Sequence, residues 1–232
     1  MKQLLKFILI FSIISCHSNP EHNSLVSAKI KGLQKGTVYL QKFQDTVYIT
    51  LDSLNVKGKE TVQLGCQLEE PEVLYLSLSK AIDAKRIPFF AEAGSTTIET
   101  NLKRFVFDAK IEGGTQQKLL EDYRKNLERF KNLHLDLLEA SINAQREGNE
   151  KEIEVVQNKM DNNLKRQYLY SINYAINNND NEIAPYIALS DIFDAKSTFL
   201  DTIYNSLTPR IAASKYGILL KDYLEKIESK DQ

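Results

Sequence analysis

Ile111-Glu112-Gly113-Gly114-Thr115-Gln116-Gln117-Lys118-Leu119-Leu120 is where the chain changes its pattern. Before the glycine pair, apolar residues recur at every second position. After it they recur three and four apart. A period of two belongs to strands with one buried face, and a period of three to four belongs to an amphipathic helix. The pair therefore divides a strand-rich half from a helical half.

On the strand side, Val47, Ile49 and Leu51 alternate with Tyr48 and Thr50. Val62, Leu64, Cys66 and Leu68 alternate with Thr61, Gln63, Gly65 and Gln67, and Leu74, Leu76 and Leu78 alternate with Val73, Tyr75 and Ser77. Further strands are expected at residues 25–30, 37–42, 87–91, 96–100 and 104–107. Breakers separate them at Lys35-Gly36, Lys57-Gly58, Glu70-Pro71 and Gly94-Ser95. Many short strands with regular turns predict an antiparallel β-sandwich-like domain over residues 25–114.

On the helical side, Leu120, Tyr123, Leu127, Phe130, His134, Leu137, Ser141 and Ala144 form a coiled-coil-like seam, with Thr115 as the expected N-cap. Gly148-Asn149 marks a turn. A second seam runs through Ile153, Val156, Met160, Leu164, Tyr168, Ile172 and Ala175. So short a connection predicts an antiparallel helical hairpin over about residues 116–178. Shorter helices are expected at about 184–194, 197–207 and 209–227, the last with Pro209 in its first turn. The fold class is α+β, with an all-helical region over residues 115–232.

The N-terminus carries an address. Lys2 and Lys6 precede an apolar run over residues 7–14, the length of a signal-peptide core and too short to span a bilayer. It ends in Ile13-Ile14-Ser15-Cys16, which resembles the bacterial lipobox. The resemblance implies removal of residues 1–15 and lipid attachment at Cys16. Several acyl chains at about 0.8 kcal/mol per buried CH₂ make a lasting membrane anchor. Residues 16–24 are polar and aperiodic and read as a tether. No aspartate follows Cys16 and no acidic run follows it, so the expected location is the outer membrane, facing the periplasm.

The chain has 30 basic and 31 acidic residues; without residues 1–15, which hold two lysines and no acid, the balance is 28 against 31, a formal −3. Neither that balance nor any dense basic stripe suits a nucleic-acid binder. With Cys16 lipidated, Cys66 stands alone, so no intramolecular disulfide is expected. Cys66 lies on the apolar side of its strand and reads as a small buried hydrophobe; the sharper alternative is a thiol forming mixed disulfides with a partner.

His17, His22 and His134 lack metal-ligand spacing, so no metal or other cofactor is expected. His134 reads as a polar seam residue fixing hairpin register. Glu92 with Glu99, or Asp45 with Asp52, read as solvated turn and strand positions rather than catalytic pairs. Tyr39, Tyr48 and Tyr75 on strands, and Tyr168, Tyr170 and Tyr174 on one helix, read as half-buried packing residues. No P-loop, GxSxG, GxGxxG or HExxH occurs.

The strand half also carries an ordered set of short motifs: Lys31-Gly32, Gly36-Thr37-Val38-Tyr39-Leu40, Asp52-Ser53, Gly58-Lys59 and Gly65, then Pro71-Glu72-Val73-Leu74-Tyr75-Leu76, Phe89-Phe90-Ala91-Glu92-Ala93-Gly94, and Gly113-Gly114-Thr115-Gln116-Gln117. Over about residues 25–123 this resembles a domain of unknown function in bacterial lipoproteins, and the helical remainder resembles the segment that follows it in longer relatives. There the domain usually precedes a thioredoxin-like thiol-disulfide oxidoreductase domain with a Cys-x-x-Cys motif. This sequence departs from that pattern: it has no Cys-x-x-Cys, and Glu60-Thr61-Val62 stands where an aromatic is expected after the Gly58-Lys59 turn. No catalytic residue is carried over by the resemblance.

The function expected from sequence is a non-catalytic binding or interaction module held to the membrane by its lipid anchor, not an enzyme. The alternatives are a docking subunit for a separate thioredoxin-like envelope protein, a hydrolase with a site invisible in sequence, and a reading frame that continues past the stop codon into a Cys-x-x-Cys domain.

Overall fold

A computed structural model describes residues 22–58 and 61–229. Among the described residues eight strands form two four-stranded sheets: β1 (Ser24–Lys31), β2 (Lys35–Gln44), β3 (Val47–Lys57), β4 (Thr61–Cys66), β5 (Glu72–Ser77), β6 (Arg86–Ala91), β7 (Gly94–Asn101) and β8 (Lys110–Glu112). One sheet has the order β4-β1-β7-β8 and the other β3-β2-β5-β6. Their inner faces share one core, in which Val26, Ala28 and Ile30 of β1 meet Val38 and Leu40 of β2 and Leu74 and Leu76 of β5. This is the expected sandwich.

The pairing is antiparallel except between β1 and β7, which run parallel from Ser24↔Gly94 to Lys31↔Asn101. β1 lies in the middle of its sheet, and β7 enters at the end where β1 begins. A period of two is common to both strand directions, so the sequence pattern does not separate them. The strand expected at residues 104–107 is absent. Thr100 Oγ1 donates to the Phe105 carbonyl at 2.7 Å and Arg104 Nε to Asp108 Oδ1 at 2.8 Å. These local bonds fold the segment into turns, and the strand comes later, as β8. In β3 the predicted alternation is also misleading: Val47 and Ile49 are exposed and Tyr48 is half-buried.

Helices follow: α1 (Thr115–Glu147), α2 (Glu150–Asn177), α3 (Ile183–Ser190), α4 (Ser197–Ser206), α5 (Pro209–Ala212) and α6 (Lys215–Glu228). The hairpin of α1 and α2 turns at Gly148, whose φ of 67° is the left-handed geometry that glycine adopts without Cβ strain. The helix expected over 209–227 is broken at Ser214, whose hydroxyl accepts from the Gly217 amide and starts α6 afresh.

The helices cover the outer face of the β5-β6 side of the β3-β2-β5-β6 sheet. Val73 and Phe90, which point away from the sandwich core, pack with Leu120, Tyr123, Ile183 and Tyr216. β5 and β6 are thus buried on both faces, and the molecule has three layers: sheet, sheet, helices. A second helical core joins Ala175, Ala188, Leu200, Ile211 and Leu220.

The hairpin seams differ in part from expectation. Leu120, Tyr123, Leu127, Leu137 and Ala144 are buried, but His134 is exposed and fixes nothing. Asn163 takes that role, donating from Nδ2 to the Phe130 carbonyl at 2.9 Å. Leu164, expected inside, is 52% exposed because the buried line of α2 passes through Val156 and Asn163.

Candidate functional site

The strands β2 and β5 pair from Tyr39↔Ser77 to Lys42↔Leu74 and then part. β2 continues with β3 to Gln44↔Val47, and β5 continues with β6 to Glu72↔Ala91. Helices α3 and α6 stand opposite this fork. Between them lies a cleft of about 870 Å³, the size range of small-molecule and peptide sites.

Its apolar walls are aromatic: Phe43 and Tyr75 from the sheet, Tyr186 from α3, Tyr216 and Tyr223 from α6. The rings continue beyond the cleft. Phe43 meets Tyr48 at 5.0 Å between centroids, Tyr48 meets Tyr75 at 5.1 Å, and Tyr186 meets Tyr216 at 5.3 Å. The Arg86 guanidinium sits 3.6 Å over the Tyr48 ring and is held by carbonyls of Ala81, Ile82 and Ala84. Lys42, Lys226, Glu69 and Asp222 place both signs of charge on the lining.

The floor is braced by polar contacts. Where β2 has left β5, the Val73 amide donates to Tyr216 Oη at 2.8 Å. The Glu70 carboxylate accepts the Lys215 amide at 2.9 and 3.0 Å, at the start of α6, where the helix dipole favours a negative charge. Lys215 Nζ pairs with Glu72. Burial, reinforced by neighbouring Tyr186, pushes the Tyr75 phenol up to about 12. Burial also raises Tyr186 and Tyr216. At neutral pH these phenols are neutral hydrogen-bonding groups with apolar faces, not bases.

Two of the acids weighed as catalytic pairs, Glu92 and Asp52, have structural partners. Glu92 accepts the Thr115 amide at 2.7 Å and the Gln116 amide at 3.2 Å, so it caps α1 from the sheet, in place of the expected Thr115. Asp52 accepts the Gly65 amide at 2.9 Å and the Ser53 amide at 2.7 Å, and so pins β3 of one sheet to β4 of the other. Asp45 occupies the β2–β3 turn with φ of 55°, and Glu99 is exposed on β7. Neither Glu92 nor Asp52 is a free solvated carboxylate.

Cys66 is buried, as its strand position predicts. Burial first, then the negative charges of Glu72 and Asp52, push its thiol from 9.0 up to about 11. A thiol held protonated is a poor nucleophile. His22 lies against Gly65 at the head of the sandwich. Cys16 and His17 lie outside the described residues. Among the described residues no group of three His, Cys, Asp or Glu is placed to hold a metal ion, and no helix is long and apolar enough to cross a membrane. Tyr168 bonds Asp194 at 2.7 Å, while Tyr170 and Tyr174 stack beside Tyr123 in the hairpin.

Of the sequence candidates, Tyr75 and Asp45 line the cleft; Tyr48 stands behind it. Phe43, Tyr186, Tyr216 and Tyr223 went unnoticed. Their one sequence signal is the density of tyrosines and phenylalanines in an otherwise ordinary composition.

A sandwich covered on one face by helices, with an aromatic cleft where the two meet, defines the class by architecture. Residues 25–120 match the family model of a domain of unknown function, DUF4369. The match runs from the second residue of β1 through β8 into the start of α1. No curated protein and no solved structure matches the chain.

Proposed function

We propose that the protein is a periplasm-facing lipoprotein, anchored to the outer membrane through Cys16, that acts as a non-catalytic binding module with the cleft between β2, β5, α3 and α6 as its site. The observation that carries the reading is the contrast between the cleft and the acids around it. The cleft offers tyrosine faces and two signs of charge, while Glu70, Glu72, Glu92 and Asp52 are engaged in caps and pins. Aromatic walls with a charged rim suit a segment of another protein, since tyrosine supplies large contact area at low entropic cost.

The lipobox-like N-terminus, Ile13 to Cys16, supports placing that partner in the cell envelope. A thioredoxin-like protein docked in trans is the particular partner that the sequence resemblance favours. The test is site-specific photocrosslinking in the native envelope, with the crosslinker at Phe43 in the cleft or at Leu135 on the hairpin. The reading expects a discrete adduct from position 43 that position 135 does not give. Identical products from both positions would sink it. Reduction of insulin disulfides by the purified protein would overturn the non-catalytic assignment.

A further inference from the structure

The end of the sandwich opposite Ser24 gathers an excess of positive charge from distant parts of the sequence. Lys31 faces Asn101 at the last rung of β1 and β7, and Lys35 faces Lys57 at the first rung of β2 and β3. The Leu102 amide donates to the Lys31 carbonyl at 3.0 Å, which brings the β7–β8 loop, with Lys103 and Arg104, to the same end. The β5–β6 loop emerges there too, because Ser77 pairs with both Tyr39 and Arg86. Its Lys85 and the loop residues 102–107 line one shallow depression of about 440 Å³. The acids of these loops are Asp83 and Asp108, and Asp108 is held by Arg104 and Asn101. The whole chain carries a formal charge of only −1, so this concentration of cations is a property of the fold.

Among the lysines, bulky apolar side chains project from loop tips. Phe107 is 80% exposed, Ile82 93% and Leu102 43%. Internal bonds define the loop that carries Phe107: Asn101 Oδ1 accepts the Arg104 amide at 2.8 Å, and the Asp108 amide donates to the Arg104 carbonyl at 2.9 Å.

We infer that this end of the sandwich docks on the surface of an anionic lipid bilayer, with Phe107 and Ile82 entering the interface and the lysines meeting the headgroups. Protein interfaces are depleted of lysine and need a continuous apolar centre. Single apolar tips within a ring of lysines match a lipid interface, where each cation contributes about 1 kcal/mol of attraction. The inference rests on the loops at this end and not on lipid attachment at Cys16, so either can fail without the other.

The chain has no tryptophan, which makes Phe107→Trp in the full chain a single-site fluorescent reporter. Ile82→Trp is a second, and Leu135→Trp on the hairpin is the control. Each is mixed with vesicles of phosphatidylcholine alone or with added phosphatidylglycerol. The expected result is a blue shift and quenching by brominated acyl chains for positions 107 and 82, only with phosphatidylglycerol, and no response at 135. Lys85→Gln and Lys103→Gln should each weaken the response about fivefold at low salt, and high salt should weaken it further. No shift with anionic vesicles, or an equal shift with neutral ones, would overturn the inference. So would a response to soluble dextran sulfate without one to vesicles, an outcome that assigns the surface to a soluble acidic partner.

Discussion

The carboxylate of Glu92 occupies the space in which a side chain at Gly114 would have to stand. A Cβ on Gly114 would overlap the carboxylate, and the carboxylate in turn holds the Thr115 and Gln116 amides that open α1. Glu92→Ala should therefore cost about 1–2 kcal/mol, the usual value of a lost helix cap. Gly114→Ala should cost a similar amount by expelling the same carboxylate. In the Glu92→Ala background it should cost far less, since nothing remains to expel. Urea unfolding of the four proteins measures the coupling, and simple additivity would refute the arrangement.

Tyr216→Phe tests the tie between α6 and the sheet. The ring would stay, but the Val73 amide, buried where β2 has left β5, would lose its acceptor. An unsatisfied buried amide costs about 1–3 kcal/mol. Tyr168→Phe also loses a hydrogen bond, but that bond joins Tyr168 to exposed Asp194, and its loss should change stability by under about 0.5 kcal/mol. Equal effects of the two changes would contradict the structure.

Glu182 is 2% exposed and holds Arg210 at 2.5 Å and Gln116 Nε2 at 2.8 Å. Arg210→Ala leaves this carboxylate buried without a countercharge. The guanidinium end is itself largely exposed, so the expected loss is about 2 kcal/mol, below the cost of breaking a fully buried pair. Glu182→Gln should recover part of that loss when combined with Arg210→Ala, since a neutral amide tolerates burial better. Thermal unfolding of the single and double variants decides it.

Alkaline pH should weaken the fold in two stages. Cys66 titrates at about 11 in the folded chain against 9.0 ordinarily. The folded state thus retains a proton that the unfolded state releases. The contribution is complete below pH 9 and is lost between pH 9 and 11, at up to about 1.4 kcal/mol per pH unit. Tyr75, titrating at about 12 instead of 10.0, adds a second loss above pH 10. Cys66→Ala should remove the decline between pH 9 and 10 and keep the one above it. The native protein should also resist thiol labelling at pH 8. Parallel stability curves for the two proteins would count against the burial argument.

Much of the architecture could be read from short-range pattern. The change of period at Gly113-Gly114 placed the boundary, and Gly148-Asn149 placed the hairpin turn, because both depend on local spacing and backbone freedom. What escaped was set by partners far away in sequence. The alternation through Val73 marks an exposed side of β5, yet Val73 is buried because distant helices cover that face. Local pattern makes Glu92 a solvated turn position, because the α1 amides it holds lie 23 and 24 residues further along. The cleft joins positions 43, 75, 186 and 223, which only the folded chain brings together. The basic end was invisible for the same reason, since its lysines are spread from Lys31 to Lys103.

Phe90 lies on the outer side of β6 with no exposed surface, sealed by residues from α1, α3 and α6. The stretch matched by the family model stops at residue 120, inside the first of those helices. The matched segment therefore does not contain the residues that cover its own outer apolar face. Excised at that boundary, it would display Val73, Tyr75 and Phe90 to water and seek company in aggregates. Any chain that keeps those side chains apolar inherits an obligation to supply a roof, and here the helical half is that roof.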